Sequence, residues 1–118
     1  MNFFGKFYEI IKPKNKKMKH LVTGGAGFIG SHIVDKLIEQ GDEVVIVDDL
    51  STGSNINLKA ELINLDISER SNRLVLCQAM EGVDTVFHCA ALARVQPSIE
   101  NPQKYHKANI DGTFNVLL

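Results

Sequence analysis

Short apolar runs alternate with longer stretches of helical periodicity from residue 19 to the end of the chain. Runs rich in Val, Ile and Leu that end at Gly or Asp predict strands, and their alternation with helices is typical of βαβ units that build a parallel sheet. All but the third run are nearly continuous in apolar residues, as buried parallel strands require. The predicted strands are HLVTG (20–24), EVVIVD (43–48), AELINLD (60–66) and DTVFHCA (84–90).

Two helices are predicted between these strands. The first covers residues 28–40, and Gly41 is placed to end it in the left-handed conformation. The second covers about residues 69–80, and Asp66, Ser68 and Glu69 suit its start. The inward faces predicted from helical spacing are Ile29, Ile33, Leu37 and Ile38 for the first helix, and Leu74, Val75, Cys77 and Met80 for the second.

A last helix is predicted from Asn101 or Pro102 to the end of the chain. Proline is tolerated at the first helical position, and Asn is a favourable cap. Gly112 lies inside this helix at a cost of about 1 kcal/mol relative to Ala. We therefore expect Gly112 to let the helix approach the sheet closely. No element is predicted between the fourth strand and this helix.

Composition limits the classes of function. The 118 residues are 44% hydrophobic and 23% charged, which is typical of one soluble globular domain. Residues 1–19 carry six Lys against Glu9, so residues 20–118 are acidic, with seven basic against thirteen acidic side chains. An acidic domain argues against a nucleic-acid partner. No apolar run approaches the roughly 20 residues needed to span a bilayer, which argues against a membrane partner.

The two cysteines predict no disulfide and no metal site. Cys77 and Cys89 form no C-x-x-C pair and have no His at metal-ligand spacing. We interpret both as free thiols in a reducing compartment, and the cytoplasm is the default expectation.

Residues 1–17 form a basic N-terminal extension, and residues 18–118 form the predicted domain. The extension combines aromatic residues with Lys, and two interpretations stay open: contact with an anionic surface, or a loosely docked segment. It also contains Tyr8 and Lys12 in Y-x-x-x-K spacing. That pair lies upstream of the first strand, so we expect no catalytic role for it.

The stretch TGGAGFIG (23–30) follows a strand and opens a helix, which is the context of a dinucleotide-binding loop. The first glycines allow the tight turn, Gly27 lets the backbone approach a pyrophosphate, and Gly30 lets the helix pack close to the sheet. The helix N-terminus offers free N–H groups to the phosphates. A purely structural glycine turn is the alternative. Gly25, Gly27 and Gly30 fit the spacing G-x-G-x-x-G, and Gly24, Gly27 and Gly30 fit the related spacing G-x-x-G-x-x-G.

Asp48 strengthens the dinucleotide interpretation. It ends the second strand 18 residues after Gly30, where a carboxylate can accept hydrogen bonds from an adenosine ribose. The same charge repels a 2′-phosphate, and no Arg follows in DDLSTG. The sequence therefore favours NAD over NADP as the cofactor.

These residues resemble one family closely. TGGAGFIGSH, VDDLSTG, the Asp66-Ile67 pair, HCAA and SIENPQKYHKANIDGTFNVL are similar, in order, to the motifs of the extended short-chain dehydrogenases, and among them of the NAD-dependent nucleotide-sugar epimerases and dehydratases. The resemblance covers about residues 18–118. It implies a Rossmann-type α/β fold, with a parallel sheet in strand order 3-2-1-4 and helices on both faces.

The resemblance also implies cofactor contacts beyond the glycine loop. Phe28 and Ile29 would line the pyrophosphate turn, and Asp48 would hold the adenosine ribose. Ser51, Thr52 and Gly53 would lie near the ribose and phosphate, Asp66 and Ile67 against the adenine, Ala90 and Ala91 along the nicotinamide side, and Asn109 behind the cofactor and the catalytic machinery.

Simpler roles stay open for several of these positions. Asp66 could cap the second helix, Asn109 could be an exposed helix residue, and the two alanines could be ordinary packing residues. We expect His88 to be a hydrogen-bonded structural residue, because no metal-ligand set surrounds it. Arg94 follows the fourth strand, where it could meet a substrate or lie in solvent.

No catalytic residue is predicted. In the resembled family, proton transfer is carried out by a Tyr and by a Lys four residues after it on a later helix. After the fourth strand the only tyrosine is Tyr105, whose i+4 neighbour is Asn109. We expect the chain to be the N-terminal fragment of an epimerase that acts on a nucleotide sugar, namely a UDP-hexose. The resemblance implies that the complete enzyme is usually a homodimer. A 4,6-dehydratase fragment and a non-catalytic NAD-binding module are the alternatives.

Overall fold

The computed structural model describes residues 17–118, so the Tyr8–Lys12 pair and nearly all of the predicted extension lie outside the described residues. Four parallel strands form one sheet in the order β3-β2-β1-β4, which confirms the predicted topology. Each strand is found where the apolar pattern predicts it, although β3 and β4 are shorter than expected. The strands are β1 (Lys19–Thr23), β2 (Glu43–Asp48), β3 (Glu61–Asn64) and β4 (Thr85–His88).

The parallel register aligns the carboxyl ends of the strands. Thr23 at the end of β1 pairs with Val47 on one side and with His88 on the other. Asp48 pairs with Asn64 at the end of β3. Loops that leave these positions therefore meet above one edge of the sheet, where ligands of open α/β sheets bind.

The central strands β1 and β2 are covered on both faces, because alternate side chains point to opposite sides of the sheet. Each face has its own apolar cluster, and helices from different parts of the chain complete them. One cluster is built on Leu21, Val45, Val47, Ile67 and Leu76, and the other on Val22, Val34, Leu37, Val44 and Ile46.

Helix α1 (Phe28–Glu39) agrees with the predicted range, and three of the four residues predicted to face inward pack in the core: Ile33, Leu37 and Ile38. Its buried positions include Gly30, Val34 and Leu37, which follow an i, i+4, i+7 pattern. Ile29, predicted to face inward, is 67% exposed. The prediction was wrong at Ile29 alone, because Gly30 and Ser31, rather than Ile29, are the buried positions in the first turn. Gly41 ends the helix at a φ of 86°, as predicted.

The second predicted helix is shorter and rotated. A 3₁₀ turn (Arg70–Asn72) precedes helix α2 (Arg73–Ala79). Its buried residue is Leu76, whereas Leu74 is 70% exposed and Cys77 is exposed too. The predicted face was therefore wrong, except that Met80 packs against the core. Leu76, Ala79 and Met80 pack inward at helical spacing, and Val83, in the turn after the helix, packs against the same core.

Three short helices and a π-helical turn follow β4. Helix α3 (Val95–Glu100) was not predicted, because it has only six residues and Pro97 lies within it. The predicted last helix is present without a gap, and its middle is π-helical: α4 (Pro102–His106), a π-helical turn (Lys107–Asp111) and α5 (Gly112–Leu117) follow one another. Asn101 caps α4 as expected, since its side chain accepts a hydrogen bond from the Lys104 amide at 3.2 Å.

Gly112 permits a close approach, but to a loop rather than to the sheet. A Cβ at this position would lie 3.3 Å from the side chain of Ile67, in the segment after β3. Among residues 17–118, no helix is both long enough and apolar enough to cross a membrane.

Candidate functional site

A cavity of about 410 Å³ lies at the carboxyl ends of the strands. Its volume is within the range of about 300–1,000 Å³ that is usual for small-molecule and cofactor sites. The cavity brings together twelve of the fifteen residues predicted to contact a cofactor. They are Gly24, Gly27, Phe28, Ile29, Gly30, Asp48, Ser51, Thr52, Asp66, Ile67, Ala90 and Ala91.

The glycine loop between β1 and α1, together with the first turn of α1, has no room for a side chain at Gly24 or at Gly30. Gly24 has a φ of 69°, and a Cβ there would lie 2.8 Å from the backbone nitrogen of Ala90. A Cβ on Gly30 would collide with the carbonyl oxygen of Gly24. The Gly27 amide donates to that same carbonyl at 3.0 Å, which closes the turn. The loop therefore presents bare backbone to the cavity.

The N-terminus of α1 borders the cavity and fits an anion. Gly27 is the cap residue, no side chain caps the helix, and its first turn contains no acidic residue. Within this turn no side chain competes for the free N–H groups or for the positive end of the helix dipole, so the helix end suits a phosphate or a diphosphate. Phe28 and Ile29, exposed by 78% and 67%, form the apolar rim beside these amides.

Asp48 holds the loop and faces the cavity. One carboxylate oxygen accepts from the Ala26 amide at 2.9 Å, and the other accepts from the Leu50 amide at 2.7 Å. Leu50 has a φ of 61°, an uncommon conformation for a branched side chain, and the bond from Asp48 helps to hold it there. Each carboxylate oxygen keeps a further lone pair that can accept a hydrogen bond from a ligand hydroxyl.

The segment after β3 forms the opposite wall. Asp66 accepts from the amide and the hydroxyl of Ser68, at 2.9 and 2.6 Å, so it stabilises a turn. It does not cap the next helix, because the cap residues of the 3₁₀ turn and of α2 are Glu69 and Asn72, and neither end has a side-chain capping hydrogen bond. Ile67 is 7% exposed, and its carbonyl accepts from the Asn115 side chain at 2.8 Å.

The end of β4 forms the third wall. The amides of Cys89 and Ala90 both donate to the hydroxyl of Thr23, at 3.1 and 3.2 Å. Ala90 also packs against the hydrophobic core, so its predicted packing role and its place at the cavity are both observed. Burial raises the pKa of the Cys89 thiol.

Asn109 does not line the cavity, and it is not a free helix residue either. Its side-chain oxygen accepts from the Leu92 amide at 2.7 Å, and its side-chain nitrogen donates to the Leu92 carbonyl at 2.9 Å. Leu92 itself lines the cavity. The π-helical turn that contains Asn109 therefore supports the cavity through the backbone of Leu92, in keeping with the frequent occurrence of such turns near functional sites.

Gly25 and Gly53 also lie outside the lining. A Cβ on Gly25 would press against the side chain of Ile46, and one on Gly53 would collide with the carbonyl of Ala26. Both glycines therefore allow the walls to pack closely. Arg94 is exposed and does not line the cavity either.

Sequence reasoning missed eight lining residues. Most are direct neighbours of predicted ones, so their signal was adjacency alone, and Ala108 comes from the unpredicted π-helical turn. The eight are Val47, Asp49, Leu65, Ser68, Cys89, Leu92, Ala93 and Ala108.

His88 is a structural residue, as predicted. Its Nδ1 lies 2.6 Å from the Thr23 hydroxyl, and its Nε2 lies 2.8 Å from the Thr113 hydroxyl. Burial lowers the pKa of the imidazole, which favours the neutral ring. Within residues 17–118, no group of three His, Cys, Asp or Glu side chains is placed to hold a metal ion.

The parallel sheet, the glycine loop and the cavity at the strand ends define a Rossmann-type domain. The chain belongs to the NAD dependent epimerase/dehydratase family, whose model matches residues 20–118. It is 50% identical over 99 residues to a putative UDP-glucose 4-epimerase of Methanocaldococcus jannaschii, covering 82% of this chain. It is 41% identical over 109 residues to UDP-glucuronic acid decarboxylase 1 of Arabidopsis thaliana, covering 86% of this chain.

Solved structures show the same relationship. The UDP-glucose 4-epimerase of Thermotoga maritima, solved with UDP-glucose, matches 85% of this chain at 42% identity and a TM-score of 0.79. The UDP-glucose 4-epimerase of Thermus thermophilus, solved with NAD, matches 85% at 38% identity and a TM-score of 0.75. The chain spans 32% of the archaeal relative, 23% of the plant relative, and 33% and 32% of these two structures.

Proposed function

We propose that residues 18–118 bind NAD and form the cofactor-binding portion of a nucleotide-sugar epimerase that acts on a UDP-hexose. The observation that carries the proposal is the cavity itself, where the bare backbone of Gly24 and Gly27, an uncapped helix N-terminus and Asp48 surround one space. These three features match the pyrophosphate and the ribose of a dinucleotide. The NAD-bound structure of the Thermus relative supports the same cofactor.

NAD is the expected dinucleotide because of charge. The Asp48 carboxylate would repel the 2′-phosphate of NADP, and residues 49–53 contain no Arg or Lys to neutralise it. Asp49 lines the cavity too and adds a second negative charge. Both charges favour a free ribose diol over a phosphorylated one.

Titration calorimetry of the 118-residue chain with NAD and NADP tests the cofactor assignment. We expect saturable binding of NAD and at least about tenfold weaker binding of NADP, since a like-charge contact of this kind costs on the order of 1 kcal/mol or more. Asp48→Asn should reduce the difference between the affinities for NAD and NADP. Absence of NAD binding, or equal affinity for the two dinucleotides, would contradict the proposal.

A UDP-glucuronic acid decarboxylase is the second candidate, because relatives of that activity are 41% identical. After β4 the chain has no Tyr followed four residues later by Lys, so we expect no turnover from residues 18–118 alone. The complete gene product separates the candidates. Interconversion of UDP-glucose and UDP-galactose supports the epimerase, and release of CO₂ from UDP-glucuronate supports the decarboxylase.

A non-catalytic NAD-binding module would bind NAD without either reaction.

The resemblance to extended short-chain dehydrogenases also implies a homodimer for the complete protein. Light scattering on the complete gene product would test that assembly.

A further inference from the structure

A chain of hydrogen bonds runs from the wall of the cavity through His88 to the last helix. It joins β1, β4 and α5, which are far apart in the sequence. Thr23 and His88 are separated by 65 residues, and His88 and Thr113 by 25. His88 is the link between the strand ends and the helix.

The direction of each hydrogen bond follows from which atoms carry a hydrogen to donate and which can only accept. The Thr113 hydroxyl lies 2.6 Å from the Asn109 carbonyl, which can only accept, so the single hydroxyl proton points there. The Thr113 oxygen must then accept from Nε2–H of His88. A neutral ring with a proton on Nε2 has a bare Nδ1, so the Thr23 hydroxyl donates to Nδ1.

The same reasoning determines what the Thr23 oxygen does. The Thr23 hydroxyl donates its hydrogen bond to His88, and its oxygen accepts hydrogen bonds from the amides of Cys89 and Ala90. The Nδ1–H form of His88 would bring a third donor to this oxygen and leave the Thr23 proton without an acceptor. It would also set the lone pair of Nε2 against the Thr113 oxygen. The contacts therefore fit one state of the ring, the neutral Nε2–H tautomer.

Both ends of this chain of hydrogen bonds hold the cavity. At one end, the Thr23 hydroxyl accepts a hydrogen bond from the amide of Ala90, which lines the cavity. At the other, Thr113 bonds to the carbonyl of Asn109, whose side chain clamps Leu92. We propose that His88, as the neutral Nε2–H tautomer, is a positioning residue that sets the Ala90–Leu92 wall of the cavity for the cofactor. This inference rests on the proposed binding of NAD.

Two variants at Thr113 separate the hydrogen bond from the shape of the side chain. Thr113→Val keeps the branched shape and removes the hydroxyl, whereas Thr113→Ser keeps the hydroxyl. We expect Thr113→Val to weaken NAD binding about five- to tenfold, the effect of one lost hydrogen bond, and Thr113→Ser to restore most of the affinity. Calorimetry on the full chain measures both, with circular dichroism to show that each variant is folded.

Nitrogen-15 spectra of the His88 ring give a readout that does not depend on the variants. In the unmutated chain, Nε2 should carry the proton and Nδ1 should show the shift of a bare ring nitrogen. A proton on Nδ1 would overturn the inference. So would a folded Thr113→Val chain that binds NAD as tightly as the unmutated chain.

The inference and the proposed function fail in different ways. If the unmutated chain does not bind NAD, the proposed function is wrong and the cofactor role of His88 falls with it. If the unmutated chain binds NAD and the ring state or the Thr113 variants disagree, only the positioning role is wrong.

Discussion

The carboxylate of Asp48 accepts a hydrogen bond from the amide of Ala26 at 2.9 Å. This contact joins the end of β2 to the middle of the glycine loop, across 22 residues of sequence. The residue proposed to select the cofactor therefore also holds the loop that would cradle its phosphates. Binding and folding at this site depend on the same side chain.

Asp48→Asn should destabilise the chain even without a cofactor. An amide offers one acceptor oxygen, so the N–H of either Ala26 or Leu50 would face an NH₂ group, at a cost of about 1–3 kcal/mol. Asp49→Asn is the control, because Asp49 is exposed and its hydrogen bond from the Ser51 amide needs one oxygen only. Thermal unfolding measures both. Equal melting temperatures for the two variants would contradict the loop-holding role of Asp48.

Gly30→Ala should disrupt the loop because the new Cβ would meet the backbone of Gly24 and Gly25, which cannot move aside as a side chain can. We expect a loss of about 3 kcal/mol in the free energy of unfolding and loss of NAD binding. Gly41→Ala is the matched control. Its φ of 86° makes it strained, but no atom lies within 4 Å of the new Cβ, so it should cost only about 1–2 kcal/mol.

Chemical denaturation measures the free energies of unfolding of Gly30→Ala and Gly41→Ala and compares them. The chain should retain NAD binding in Gly41→Ala, since Gly41 lies at the far end of α1. A Gly30→Ala chain as stable as Gly41→Ala would show that the loop can accept a side chain.

Leu76→Ala tests which face of α2 is inward. Leu76 is 2% exposed in the core, so its truncation should cost about 2–5 kcal/mol. Leu74→Ala, two residues earlier and 70% exposed, should stay within about 0.5 kcal/mol of the unmutated chain. Urea unfolding compares them directly. The reverse order would restore the face predicted from the sequence.

Stability should fall in acid because of His88. Burial lowers the pKa of its imidazole in the folded chain, so the unfolded chain binds more protons once the pH falls below the ordinary value of about 6.5. The contribution of His88 to stability is therefore complete above about pH 6.5 and is lost as the pH falls toward the lowered pKa. Urea unfolding between about pH 7.5 and pH 5.5 measures the slope.

His88→Gln should flatten this pH dependence, whereas His32→Gln should leave it unchanged. His32 is an exposed residue on α1, so it serves as the matched surface control. An unchanged slope in His88→Gln would assign the acid sensitivity to another group.

The sequence by itself determined the features that depend on local chemistry. The four apolar runs, the glycines that turn the chain into α1, and the Asn101 cap were all predictable, because each depends on neighbours within a few residues. The motif resemblance added the sheet order 3-2-1-4. Twelve cavity residues followed from these two sources.

Only the tertiary structure decided which side chains meet across long stretches of chain. Spacing could not choose between Leu74 and Leu76, because apolar residues occupy both faces of α2 and only the position of the sheet selects one. Nor could it reveal the clamp of Asn109 on Leu92, or the bridge from Thr23 through His88 to Thr113. Those contacts are made through space by elements that the fold brings together, and a one-dimensional pattern carries no record of them.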